Sequence, residues 1–206
     1  ARLSEIVLKK NDYAKAIPVL KRLETEADFP QNVTFAQSNL MKSYYEQKDY
    51  PNAVIYADKV LANSKIEDRI KSDAQIIVAR SAIKSNDETK AKVAYAKLLT
   101  IAKGELAAEA LYYDAYFKNK DGKFEASNTA VQKLAKDYSE YKYFGAKGLI
   151  IMAKNFYGLK DSFQATYILE SVVKNFANYQ DVVDEANKEL TFIKSEEAKR
   201  NSSITN

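Results

Sequence analysis

Cysteine, histidine and tryptophan are absent from the 206 residues, and glycine and proline occur only 5 and 3 times. Without cysteine there are no disulfides, no thiol nucleophile and no thiolate metal site. Without histidine the commonest general base and the commonest transition-metal ligand are missing. A serine nucleophile would lack its usual partner. There is no run of 18 or more apolar residues, so no segment reads as a membrane-spanning helix or as direct membrane insertion. No glycine-rich phosphate loop occurs; "FGAKGL" lies inside a helical pattern and has the wrong spacing. Lysine and arginine total 32 against 28 acidic residues, a formal charge of +4. That balance is too even to read as a nucleic-acid signature.

What the chain does have is a recurring mark of a polar turn followed by a helix start. In "QKDYPNAVIYADKVL", Asp49 is a suitable N-cap, because its carboxylate can accept from free N–H groups of the first turn. Pro51 falls in that first turn, where a missing N–H costs little. Ala53, Val54, Ala57, Val60 and Leu61 then form one apolar stripe at helical spacing. Similar marks open at Lys10 ("KNDYAKAI"), Lys48 ("KDYPNAV"), Ser85 ("SNDETKAK"), Asp121 ("DGKFEAS") and Lys160 ("KDSFQAT"). Taking Ala16, Ala53, Ala91, Ala126 and Ala165 as markers, the intervals are 37, 38, 35 and 39 residues. A period of this size with two helices per unit is the sign of a repeat array. The segments between the marks also carry apolar or small residues at three- and four-residue spacing. The sequence therefore predicts an all-α chain of about five antiparallel helix hairpins plus a closing C-terminal helix.

At the C-terminus Val183, Ala186, Leu190 and Ile193 make a narrow stripe beside a charged face, as expected of a terminal cap. One array is expected over 1–198, with a disordered tail over 199–206. At the other end "ARLSEIVLKK" reads as the remainder of a first helix, with Leu3, Ile6, Val7 and Leu8 partly uncovered. Pro18, in the second turn of its helix, predicts a local bend.

The stretch "NLMKSYYEQKDYPNAVIYADKVL" resembles a tetratricopeptide repeat, with Leu40 and Tyr44 in a first helix and Tyr50 and Ala53 opening the second. "YKYFGAKGLIIMAKNFYGLKDSFQATYILESVVKNF", followed by "DVVDEANKEL", is similar to the C-terminal part of long extracytoplasmic tetratricopeptide proteins of Bacteroidota. The general likeness covers nearly the whole chain, and the narrower one about its last 65 residues. The chain departs from the pattern at Met41, in intervals longer than 34, and near Asp121, where Phe124 and Ser127 shift the register by one. The resemblance implies a right-handed superhelical solenoid whose first helices line a concave face. It also implies a non-enzymatic scaffold that binds a partner protein or peptide, or other parts of the same longer chain. By the same resemblance the location is periplasmic or associated with the outer membrane; a cytoplasmic one is the alternative.

Aligning the first helices by their marks, with Ser127 for the fourth hairpin, places Lys42, Arg80, Tyr116 and Lys154 at one register. Three residues further on stand Tyr45, Ile83, Asn119 and Tyr157. In the resembled family these registers face the groove. A row of cations with tyrosines would suit an acidic peptide or a free carboxylate, and it is equally the pattern of a solvated helix face. The tyrosine-dense segments 112–116 and 138–144, with Tyr112 and Tyr116, read either as packing between hairpins or as binding surface. The rival class is a helical-repeat RNA-binding protein. Uneven intervals and mixed charge count against it, and no nucleic acid, cofactor or metal is expected.

Overall fold

A computed structural model of the chain describes residues 2–204, and the side chains of residues 5–203. Among the described residues there are eleven α-helices and no strand: α1 (Arg2–Lys9), α2 (Tyr13–Glu26), α3 (Pro30–Glu46), α4 (Tyr50–Leu61), α5 (Asp68–Lys84), α6 (Glu88–Ile101), α7 (Gly104–Lys120), α8 (Phe124–Asp137), α9 (Lys142–Gly158), α10 (Ser162–Asn175) and α11 (Gln180–Ile204). The chain divides into two compact units, Ala1–Ala102 and Lys103–Asn206. No shift in composition marks that division, which the sequence reading, with its single array, did not anticipate.

Five turns, from Lys10, Gln47, Ser85, Asp121 and Leu159, join helices in pairs, and they share one geometry. The middle residue of each turn takes a positive φ: Asn11 53°, Lys48 60°, Asn86 56°, Gly122 72° and Lys160 69°. Each closes a Schellman-type end, in which the following N–H reaches back to the helix just finished, as Asp49 N–H does to the Tyr44 carbonyl at 2.9 Å. The next residue caps the second helix. Asp12, Asp49, Asp87 and Asp161 each accept a bond from the N–H three residues on. Four residues after each cap lies a fully buried small side chain: Ala16, Ala53, Ala91, Ser127 and Ala165, all 0% exposed. The paired helices meet closely there because nothing larger intervenes.

The fourth turn corrects the marker alanine. Ala126 is exposed and Ser127 is buried, because Lys123 is the capping position and makes no side-chain cap bond. Ser127 tolerates burial by donating to the Ala115 carbonyl at 2.7 Å and accepting from Asn155 Nδ2 at 2.8 Å. Asn155 also donates to Asn128 Oδ1 and accepts from Asn119 Nδ2, so a fully bonded polar knot fills the place of an alanine contact.

In the first unit each helix packs on the next from α1 to α6, and α3 also packs on α5. In the second the same holds from α7 to α11, with α7 on α9 and α9 on α11. Within the units, then, α3 meets α5, α7 meets α9 and α9 meets α11. The first helices α3, α5, α7 and α9 are each 17 residues long. Core residues follow this layering: in the second unit Ile150, Ala153, Leu169, Val172, Val182, Ala186 and Ile193 form one buried cluster.

Three further expectations fall on the chain ends and on Pro18. Ile6 is 52% exposed while Val7 and Leu8 are half-buried, and the Leu3 side chain lies outside the described residues. Pro18 lies inside α2 with its ring exposed, leaving the Ala14 carbonyl without its i+4 N–H donor. Helix α11 continues to Ile204, through the segment expected to be a disordered tail up to that residue. Ion pairs Lys199–Glu196 and Arg200–Glu197, one turn apart, accompany that extension. Residues 205–206 lie outside the described residues.

Candidate functional site: a groove between first helices

In the first unit α3 and α5 run side by side, and a recess of about 590 Å³ opens between their N-terminal halves. Its apolar floor comes from Pro30, Phe35, Met41, Ile66 and Ile70. The segment 62–67, which links α4 to α5, closes one wall with Asn63, Lys65 and Ile66. Asn63 is held there by donating to Thr34 Oγ1 at 3.2 Å, and its own oxygen accepts from the Lys65 N–H. Ser38 lines this recess, and its hydroxyl oxygen is buried without a hydrogen-bond partner. Lys65, Glu67 and Arg69 stand exposed on the rim, so both signs of charge border an apolar floor.

Lys42 Nζ and Asp73 Oδ2, 2.7 Å apart, bridge α3 and α5 and end this recess. Beyond the bridge the groove continues as a shallower hollow of about 160 Å³, lined by Tyr45, Glu46, Ile76, Ile77 and Arg80 together with the bridging pair. A 17-residue helix is roughly 25 Å long. That length accommodates about seven residues of extended peptide.

Within this unit the structure brings together Lys42, Tyr45 and Arg80, three of the residues aligned from the sequence. It also changes their meaning. Lys42 is engaged with Asp73, and Tyr45 lies against Tyr50 with ring centroids 5.8 Å apart. The sequence alignment missed Asp73, Phe35, Ser38, Ile66 and Ile70. Asp73 had a legible signal, since it lies two turns before Arg80 on the same helix face. Ile66 had none, because it belongs to a linker whose path depends on tertiary packing.

The second unit repeats the cross-helix pairing. Lys154 Nζ lies 3.3 Å from Glu185 and 3.1 Å from Glu189, both on α11. Lys147 Nζ forms a short bond to the other oxygen of Glu185 at 2.5 Å. Lys42–Asp73 and Lys154–Glu185 both span 31 positions, so a cation on one first helix meets an acid on the next in both units. Burial pushes the Glu185 carboxyl upward, and bonds from Lys147 and charge from Lys147 and Lys154 more than offset it, leaving its pKa below the ordinary value. Tyr143 donates to Asp181 at 2.8 Å; burial and that bond raise its phenol to about 12.

The remaining aligned residues are largely occupied. Tyr112 is 8% exposed and packs on Phe144, and burial drives its phenol far up, so it presents little surface to a partner. Tyr116 is half-buried between Tyr113 and Phe117, with Lys120 5.7 Å from its ring centre. Tyr157 packs edge-on against Phe192, which is 51% exposed. Among the described residues, no grouping of three or more acidic side chains is placed to hold a metal ion. No protein-family model matches the chain, and no curated protein matches its sequence.

Proposed function

We propose that the chain is a non-enzymatic protein-interaction scaffold that holds a peptide segment of its partner in the α3–α5 groove. The observation that carries this reading is the groove itself: an apolar recess of about 590 Å³ continued by a second hollow, bordered by charges of both signs. The volume is in the usual range for a binding site, roughly 300–1,000 Å³. The floor offers room for one or two apolar side chains. Mixed rim charge favours a peptide with an apolar centre and flanking charges, rather than a purely acidic one, because Lys42 is already balanced by Asp73.

The same reading takes the hairpins of each unit as a tetratricopeptide-like array with first helices on the binding side. The pairing of first helices with one another, and the buried small residue after each cap, support it. With no histidine or cysteine in the chain, the groove has neither an imidazole base nor a thiol nucleophile.

The test is a selection of random displayed peptides on the purified chain, followed by binding measurements on the enriched sequences. Ser38→Trp should fill the recess and weaken binding at least tenfold while the helical signal is kept. Enriched peptides that bind Ser38→Trp as tightly as the parent would remove the groove from consideration. A salt-sensitive affinity for single-stranded RNA, with no peptide enrichment, would favour the RNA-binding class instead.

A further inference from the structure

The two hollows of the α3–α5 groove share only two lining residues, Lys42 and Asp73. A ligand that fills both hollows must pass over this pair. Ile70 in the recess and Ile77 in the second hollow stand seven positions apart on α5, roughly 10 Å along the helix axis. An extended chain covers that distance in about three residues.

The pair has bonding capacity to spare. A lysine ammonium carries three donors, and a carboxylate has two acceptor oxygens. Among the described residues, Lys42 donates only to Asp73 Oδ2, and Asp73 Oδ1 accepts from no protein group. The side chains are 46% and 28% exposed, so the unused positions are accessible from the groove that both residues line. The second unit completes its corresponding pair from within: Lys154 bonds Glu185 and Glu189, and Lys147 takes the other oxygen of Glu185. At Lys42 and Asp73 the fold leaves donors and an acceptor over.

The leftover groups name the chemistry of an occupant. A free acid or a free cation would compete with one member of the pair for the other. A neutral group with one acceptor and one donor fits the pair intact, and a peptide main chain supplies both, a C=O for Lys42 and an N–H for Asp73. A helical ligand has already used these groups internally, whereas an extended one has not. We infer that Lys42 and Asp73 clamp the main chain of an extended peptide where it crosses between the hollows, with apolar side chains about three residues apart seated on either side. The inference rests on the groove being a peptide seat, and adds the conformation and anchor spacing of the peptide.

The test is a backbone scan of a peptide from the display selection, each amide N–H being replaced in turn by an ester oxygen. On the parent chain one ester between the anchors should weaken binding about tenfold, the scale of a bond to a charged acceptor. On Asp73→Ala, checked for unchanged helical signal, the same ester should cost nothing further; Asp73→Ser takes its place if the alanine variant fails to fold. Lys42→Met should weaken the all-amide peptide several-fold. Peptides that respond to Ser38→Trp but tolerate every ester overturn the clamp and leave the groove standing. So does an ester that costs as much on Asp73→Ala as on the parent, or an unchanged affinity in Lys42→Met. Peptides indifferent to Ser38→Trp, or no enriched peptide at all, remove the groove and the clamp together.

Discussion

Lys123 is the only one of the five capping positions without a side-chain bond to its helix; the other four are aspartates. An N-cap aspartate contributes about 1 kcal/mol relative to alanine. Lys123→Asp should therefore raise stability by about 0.5–1 kcal/mol, less whatever its exposed pair with Asp121 contributes. Asp87→Ala should lower it by about 1 kcal/mol. Urea titrations of the two variants check both signs. Asn155 makes the opposite kind of contribution: it is 0% exposed and ties Asn119, Ser127 and Asn128 together. Asn155→Leu keeps the volume but strands those partners, and should cost about 2–3 kcal/mol. A loss under about 0.5 kcal/mol would show that the knot is not needed.

Among the elements, α11 illustrates how charge and apolar packing divide the work. Val182, Ala186, Leu190 and Ile193 supply its buried face, while Asp181, Glu185 and Glu189 bond Tyr143, Lys147 and Lys154 of α9. The Glu185 carboxyl has a folded pKa below its ordinary 4.5. Its contribution to stability is then fully present above that ordinary value, and it is lost as pH falls through the lower, folded one. Melting curves of the parent and of Glu185→Gln should stay separated near neutrality and converge only as the pH falls past the ordinary carboxylate range and through the lower folded pKa. Equal separation at every pH would mean that Glu185 acts through shape alone. Reversing Lys42, Arg80 and Lys154 to glutamate should lower the melting point. Each reversal of Lys42 and Lys154 sets like charges against Asp73, Glu185 and Glu189.

Across the whole molecule, what could be read in advance was what depends on neighbours in sequence. A helix stop, a left-handed residue and an aspartate cap are settled within about eight positions, so the turns at Asp12, Asp49, Asp87 and Asp161 were legible. Helix content and the order of paired helices followed from them. The shift to Ser127 was half-legible, because Gly122 shows where the turn lies but Asn155 lies 28 positions further on. The groove was legible only as a row of cations. Its bridging acid, Asp73, sits 31 positions downstream of Lys42, and the wall formed by the 62–67 linker depends on how α3, α4 and α5 meet. The burial of Tyr112 was hidden for the same reason: a dense tyrosine segment gives no sign of which ring Phe144 will cover.

The α3–α5 groove as a peptide seat is best examined by an amide NMR titration of the labelled chain with a peptide from the display selection. Shifts should concentrate on Phe35, Ser38, Ile66, Ile70 and Arg80, with intermolecular contacts from the peptide to Phe35 and Ile70, and should leave α8 and α10 unchanged. Shifts confined to other helices, with Phe35 and Ser38 unmoved at saturation, would contradict it.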